Sequence, residues 1–173
     1  MIVLNRKEKK ISNWLTLVKK KIKKSNHSIE TYHSFKTFDY IVIIAKNECG
    51  KISVIKQYRP AREGDTLEFP AGLHDKNIPK KKIIHKELFE ETGLIPISNI
   101  RLLCKLTTDN GRMENNLFGY FVKTKRVNKN GTEKEIKNYL LSKKKIDYLI
   151  KSGKFNHSMH IAIYHIALKK GYI

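Results

Sequence analysis

A short acidic segment constrains the folding of this chain more than any other feature. Three glutamates fall within five residues, at Glu87, Glu90 and Glu91, and Gly93 follows them closely. On an α-helix these side chains are spaced three and four positions apart from Glu87, so all three would share one face. Like charges at this spacing destabilise an isolated helix by roughly 0.2–0.5 kcal/mol per pair. The pattern therefore predicts either a solvated charged face or a site for a hard divalent cation such as Mg²⁺, which prefers carboxylate oxygens.

The rest of the chain is strongly basic, which sets the acidic segment apart from the overall composition. The 173 residues include 36 Lys and Arg against 16 Asp and Glu, and the formal net charge is +20. The lysine runs are dispersed and lack interleaved aromatic residues, so they predict a solvated surface and no specific nucleic-acid partner. The length predicts a single globular domain large enough to bury a core.

Neither a membrane protein nor a zinc site is indicated. No apolar run reaches transmembrane length, and Met1–Leu4 is too short for a signal sequence. Cys49 and Cys104 lie far apart without paired-ligand spacing, which favours a reducing, cytoplasmic location. Four histidines without ligand partners in clear register are expected to be solvent-facing or structural: His74, His85, His157 and His160.

Residues 1–36 are predicted to form a helical arm ahead of a domain that spans residues 37–173. Apolar residues recur there at helical spacing, with lysines between them. They are Ile11, Trp14, Leu15, Val18 and Ile22. We expect this arm to pack against the domain or against a second subunit.

The remainder of the chain alternates between strand and helix patterns. Strands are predicted at 40–46, 52–57, 66–69, 100–106 and 117–122, a polar turn at 128–132, and helices at 79–92, 143–151 and 156–169. The first two strands form a hairpin, and Gly93 is expected to end the middle helix. This order predicts an α/β (α+β) domain with α/β/α layers.

The segment Gly72–Leu94 resembles the signature of the Nudix hydrolases. That signature runs Gly, five residues, Glu, seven residues, then Arg-Glu-apolar-any-Glu-Glu-any-Gly-apolar. Seven of its nine defining positions are matched, by Gly72, Glu87, Leu88, Glu90, Glu91, Gly93 and Leu94. Ile78 stands in place of the first Glu, and Lys86 stands in place of Arg.

The flanking sequence is similar to the ADP-ribose pyrophosphatase branch of that family. Gln57–Ala61 spells QYRPA, Leu67–Gly72 spells LEFPAG, and Thr108–Arg112 resembles a loop of the same branch. The resemblance implies a mixed sheet sandwiched between helices. It also implies hydrolysis of the pyrophosphate bond of ADP-ribose or a related nucleoside diphosphate sugar, with Mg²⁺ or alternatively Mn²⁺, by a homodimer.

The resemblance also assigns a metal site. Glu87 and Glu91 match the principal ligands, Glu90 matches a supporting and catalytic carboxylate, and the backbone carbonyl of Ala71 would be a further ligand. A divalent ion at this place would neutralise phosphate charge and lower the pKa of a bound water.

Substrate contacts and a general base are assigned on the same grounds. Arg59 would grip a phosphate. Glu68 would be an outer metal or substrate contact, with a strand residue that faces solvent as the alternative. Arg112 would meet phosphate or a partner subunit. Glu133 is favoured over Glu135 as general base, with ordinary surface charge as the alternative for both.

The two departures from the signature keep other hypotheses open. Ile78 removes an acidic position, and Lys86 keeps the positive charge of Arg but loses its planar fork. A nucleotide-binding or sensing protein with weakened turnover is therefore the first alternative. An RNA 5′-end pyrophosphohydrolase is the second, and only the high charge supports it.

Overall fold

The computed structural model describes residues 1–74, 77–127, 133 and 135–173. Three α-helices are found there: α1 (Lys80–Thr92), α2 (Lys143–Lys151) and α3 (Ser158–Lys169). The strands are β1 (Ile2–Lys10), β2 (Thr16–Lys23), β3 (Ile29–Lys36), β4 (Asp39–Asn47), β5 (Ile52–Arg59), β6 (Gly64–Glu68), β7 (Ala71–His74), β8 (Leu94–Pro96), β9 (Arg101–Thr107), β10 (Asn116–Arg126) and β11 (Lys137–Leu141). A 3₁₀ turn, Pro60–Arg62, joins β5 to β6.

The strands form two sheets. The first is antiparallel, with the order β1-β2-β3, and the second has the order β11-β5-β4-β10-β8, with β6, β7 and β9 pairing to β5, β4 and β10. In the second sheet β4 and β10 run parallel, with Tyr40 opposite Leu117, while the other pairs are antiparallel. The predicted β4–β5 hairpin is confirmed, and Gly50 takes a φ of 74° in its turn. The mixed sheet is therefore the predicted one.

The helical prediction for residues 1–36 is wrong, because these residues form the three strands of the first sheet. Val18 is fully buried on β2 and lies opposite Ser34 of β3. The strands reverse at two short turns, one closed by the Ile11 N–H bond to Leu15 O at 2.9 Å and one containing His27 at a φ of 63°. Pairing on both sides of β2 satisfies its backbone groups, which outweighs the helical spacing of a few apolar residues.

Helices cover both faces of the second sheet. Successive residues of β4 point to opposite faces. Ile41 and Ile43 therefore pack with α1 residues such as Leu88, whereas Val42 and Ile44 pack on the other side with residues of α2 and α3. The predicted α/β/α layering is thus observed.

The predicted middle helix is confirmed as α1, which follows Pro79 and ends at Gly93. Gly93 has a φ of 67°, and its N–H donates to Phe89 O at 3.0 Å, which is the left-handed cap that favours glycine. The predicted polar turn at 128–132 lies outside the described residues, and no helix in the described ranges is long and apolar enough to cross a membrane.

Candidate active site

The glutamate face of α1 packs directly against the start of β7. A Cβ atom added to Gly72 would lie only 2.6 Å from Glu87 Cγ and 2.9 Å from Glu87 Oε1. The Glu87 side chain is 17% exposed and that of Glu90 is 30% exposed, so both border solvent. The absence of a side chain at position 72 is therefore what allows Glu87 to lie against β7.

Glu91 is the most enclosed of the three glutamates, at 7% exposed. Its Oε2 accepts a hydrogen bond from the Ala71 N–H at 3.0 Å. Burial nevertheless raises the pKa of Glu91 to about 8, although this bond favours the ionised form. Burial also raises the pKa of Glu87. The two inner carboxylates are thus short of compensating positive charge.

Lys86 supplies positive charge from the solvent side. Its Nζ lies 3.7 Å from Glu87 Oε1 and 3.4 Å from Glu90 Oε2, and its side chain is 63% exposed. The negative charge of Glu87 contributes most to raising the Lys86 pKa. Lys86 therefore keeps the charge pairing expected of the signature arginine, but with a single ammonium group at the rim.

These residues fit a hard divalent cation. The available donors are carboxylate oxygens, which Mg²⁺ prefers, and the raised carboxyl pKa values indicate a place that favours added positive charge. The glycine at position 72 lets the Glu87 carboxylate lie against the backbone of β7, next to Ala71. Glu87, Glu90 and Glu91, with the backbone of Ala71, are the residues that would hold the ion.

A buried ion pair lies at the β5–β6 edge. Arg59 donates from Nε to Glu68 Oε1 at 2.8 Å and from Nη2 to Glu68 Oε2 at 2.7 Å, while Thr66 Oγ1 donates to Oε1 at 2.7 Å. Burial would raise the Glu68 pKa, but these bonds outweigh it and hold the value at about 2. The bonds to Glu68 use two of the five guanidinium N–H groups.

The two members of this ion pair differ in exposure, and the difference decides which of the predicted roles each residue can have. The Glu68 side chain is 1% exposed and that of Arg59 is 41% exposed. The solvent-facing alternative for Glu68 is therefore wrong. A direct contact of Glu68 with metal or substrate would require this pair to open, whereas Arg59 can meet an anion while Glu68 holds it.

Glu133 lies beside the glutamate cluster. Its N–H donates to Glu90 O at 3.3 Å, and its charge contributes to raising the pKa of Glu87 and Glu91. Glu133 and Glu135 also line one cavity of about 400 Å³. The structure thus brings the favoured general-base candidate next to the expected metal ligands.

Arg112 is placed elsewhere, against the first sheet. Its guanidinium carbon lies 5.2 Å from the centroid of the Tyr32 ring, and its carbonyl accepts from the Phe35 N–H at 2.7 Å. No hydrogen bond or ion pair among the described residues joins Arg112 to the three glutamates of α1. Its predicted phosphate contact receives no support from this position.

Sequence reasoning missed the importance of His160, which is fully buried on α3. Its Nδ1 accepts from the Phe69 N–H at 2.9 Å, and its Nε2 lies 3.2 Å from Tyr40 Oη. Burial lowers the His160 pKa to about 3, so the ring stays neutral. The solvent-facing alternative is wrong for this residue. In the sequence, burial of His160 is indicated only by the many apolar residues of α3 around it, such as Ile161 and Ile163.

Ligand atoms of Glu68, His157 and His160 lie within 4.8 Å of one another, but their bonding does not suit a metal. A neutral His160 that accepts at Nδ1 carries its proton on Nε2, so neither nitrogen offers a free lone pair. Both oxygens of Glu68 are already bound to Arg59. The ligand atoms of Glu68 and His160 are therefore already used in hydrogen bonds within the protein.

His74 is also buried, and its Nε2 donates to Ile78 O at 3.1 Å. This bond ties the end of β7 to the segment before α1. The Ile78 side chain is 43% exposed, at the position where the signature has its first glutamate.

Comparison with known proteins supports the fold. No protein-family model and no curated protein matches this sequence. A solved structure described as the crystal structure of an ADP compounds hydrolase matches with a TM-score of 0.84, at 18% sequence identity, over 99% of this chain and 96% of that chain. At this identity the likeness establishes the fold, which is the predicted Nudix-type mixed α+β fold.

Proposed function

We propose that this protein is a divalent-metal-dependent hydrolase that cleaves the pyrophosphate bond of ADP-ribose or a related nucleoside diphosphate sugar. The observation that carries the proposal is the glutamate face of α1, which packs against the glycine at position 72 with two carboxylates of raised pKa. The solved structure that matches this fold is described as an ADP compounds hydrolase.

The reaction faces two obstacles, the repulsion of an incoming nucleophile by anionic phosphates and the weak nucleophilicity of water. Mg²⁺ or Mn²⁺, when bound, would neutralise phosphate charge and lower the pKa of a bound water. Glu87, Glu90 and Glu91, with the carbonyl of Ala71, would hold the ion.

The remaining residues of the site have roles of their own. Arg59 binds and orients a phosphate through charge-assisted hydrogen bonds, and Glu68 fixes the plane of its guanidinium. Glu133, whose backbone bonds to Glu90, would accept the proton of the attacking water. Lys86 orients the Glu87 and Glu90 carboxylates by charge.

One observation favours a second candidate, a nucleotide-binding protein with weakened turnover. The exposed side chain at position 78 is an isoleucine, so the segment before α1 offers no carboxylate there. This candidate binds the same nucleotides in the presence of metal but hydrolyses them slowly or not at all.

We further propose a homodimer. The edge strand β1 is exposed along its whole length, and Met1, Ile2, Val3 and Leu4 are 89%, 65%, 56% and 49% exposed. Among the described residues β1 pairs only with β2, and apolar side chains on such an edge favour pairing with another chain. The mass of the protein in solution, measured by light scattering, tests this.

The proposed activity is tested with the purified full chain and a panel of nucleotides, with Mg²⁺ and with Mn²⁺. Cleavage of ADP-ribose yields two phosphate monoesters, and a phosphatase then releases inorganic phosphate from both. We expect metal-dependent release from ADP-ribose or another ADP-sugar. Tight metal-dependent binding without release on any member of the panel would favour the second candidate and refute the hydrolase.

A further inference from the structure

The corner between β6 and β7 connects two parts of the proposed site, the Arg59–Glu68 ion pair and the backbone of Ala71 beside Glu91. Glu68, the last residue of β6, holds Arg59, and Ala71, the first residue of β7, holds Glu91 through its N–H. Only Phe69 and Pro70 separate them. Any displacement of this corner would therefore move the phosphate-binding arginine and the metal-binding backbone together.

The corner lies outside the regular strand pairing. The β5–β6 ladder ends with Glu68 opposite Ile55, and the β4–β7 ladder begins with Ala71 opposite Val42. The Phe69 side chain is fully buried, so water cannot satisfy its N–H. A backbone donor in such a place needs a partner from elsewhere in the fold.

His160 is that partner. Its Nδ1 accepts the Phe69 N–H at 2.9 Å, and its ring stacks on the Phe69 ring with centroids 6.2 Å apart. Its Nε2 lies 3.2 Å from Tyr40 Oη and 3.9 Å from Glu68 Oε2. Since the ring stays neutral, it acts here as a fixed acceptor and not as an acid or base.

We propose that His160 is a positioning residue that holds the β6–β7 corner from α3 and thereby sets both Arg59 and the metal-binding backbone of Ala71. The corner is also held by the Glu91 bond to Ala71 and by the Ile43 N–H, which donates to Pro70 O at 2.8 Å. His160 is the contact from the opposite face of the sheet. The inference rests on the proposed function, because Arg59 and Ala71 are assigned there.

The test compares substitutions that keep or remove the acceptor. His160→Asn places Oδ1 at the same number of bonds from Cα as Nδ1, His160→Gln moves its oxygen one bond further, and His160→Leu removes it. His165→Leu is the matched control, because His165 is an exposed histidine of the same helix whose ring contacts Tyr164 and not the corner. The variants are measured for KM on ADP-ribose, for the Mg²⁺ concentration that gives half-maximal rate, and for hydrogen exchange at the Phe69 amide.

We expect His160→Leu to raise KM and the Mg²⁺ requirement together, each on the order of tenfold, because lost supporting bonds weaken metal sites by roughly ten- to a hundredfold. Exchange at the Phe69 amide should quicken in the same variant. His160→Asn should recover most of all three, His160→Gln should not, and His165→Leu should leave all three near wild type. If His160→Leu does not fold, the Asn and Gln variants decide the question.

Two results would overturn the proposal. One is fast exchange at Phe69 with unchanged KM and Mg²⁺ requirement, which would reduce His160 to a stabilising role. The other is an Asn variant no better than the Gln variant. If the wild type hydrolyses nothing, the proposed function fails separately, and the corner is then judged by Phe69 exchange and by Mn²⁺ binding measured by electron paramagnetic resonance.

Discussion

Gly72→Ala should separate the stability of the fold from metal binding. The added Cβ would lie 2.6 Å from Glu87 Cγ, whereas ordinary contact begins near 3.4 Å, so the Glu87 side chain must retreat by about 0.8 Å. The atoms in the way belong to one side chain, which borders solvent and can turn outward. We therefore expect a stability loss near the lower end of the overpacking range, about 1 kcal/mol. This corresponds to a fall in Tm of roughly 2–4 °C for a domain of this size.

The effect on metal binding should be much larger. Metal–ligand distances are held to within about 0.2 Å, so a retreat of about 0.8 Å removes Glu87 as a ligand. We expect the Mg²⁺ concentration for half-maximal rate to rise by at least about tenfold. The assay is the rate on ADP-ribose against Mg²⁺ concentration, together with a thermal melt of the metal-free protein.

Gly64→Ala is the matched control for this substitution. The nearest heavy atom to a Cβ at position 64 is Arg62 O at 3.7 Å, which is ordinary contact. This variant should keep the wild-type Mg²⁺ requirement. A Gly72→Ala protein that folds and retains the wild-type requirement would refute the assignment of Glu87 as a metal ligand.

Three further substitutions and one comparison of substrates test the remaining parts of the site. Glu91→Gln keeps the shape of the side chain and should nearly abolish hydrolysis while circular dichroism shows an intact fold; wild-type turnover at saturating substrate would contradict its ligand role. Glu68→Gln should raise KM by loosening Arg59, and it should also change acid stability. Because the folded pKa of Glu68, about 2, lies below its ordinary 4.5, its stabilisation is present above pH 4.5 and is lost as the pH falls toward 2. In urea titrations between these pH values the wild type should lose of order 2 kcal/mol more than the variant, allowing for the exposure of Arg59, and parallel curves would contradict the ion pair. Ile78→Glu should lower the Mg²⁺ requirement with a smaller change in kcat, and an unchanged requirement would show that this segment does not approach the ion. Finally, kcat/KM on ADP-ribose should exceed that on 5′-triphosphorylated RNA at low and near-physiological salt, while RNA binding falls steeply with salt; a preference for RNA at both salts would overturn the substrate assignment.

The central part of the fold was predictable because local signals agreed there. Runs rich in β-branched residues indicated the β4–β5 hairpin, and Pro79 and Gly93 marked the two ends of α1. The spacing of the three glutamates is enough by itself to put their carboxylates on one face of that helix. Each of these signals involves only neighbours in sequence.

The first sheet was not predictable by the same means. Ile11, Trp14 and Val18 are spaced as on a helix, yet Val18 is buried in a strand whose partners decide its state. The roles of Glu68 and His160 depend likewise on contacts between distant parts of the chain, 9 residues away for Arg59 and 91 for Phe69. A single sequence gives no measure of such pairings.

The parallel pairing of β4 with β10 has a consequence for how the protein folds. The strands meet across 77 residues of chain, as the bond from the Asn116 N–H to Asp39 shows, and parallel pairs cannot close through a short turn. Closing so long a loop costs conformational entropy before the strand contacts that offset this cost have formed. A chain of this topology is therefore expected to fold slowly. During synthesis, β4 and α1 leave the ribosome before β10 exists, and the apolar faces that Tyr120 and Val122 later cover stay open until then. The high positive charge of the chain has no assigned part in catalysis. It opposes aggregation of such incompletely synthesised chains by electrostatic repulsion.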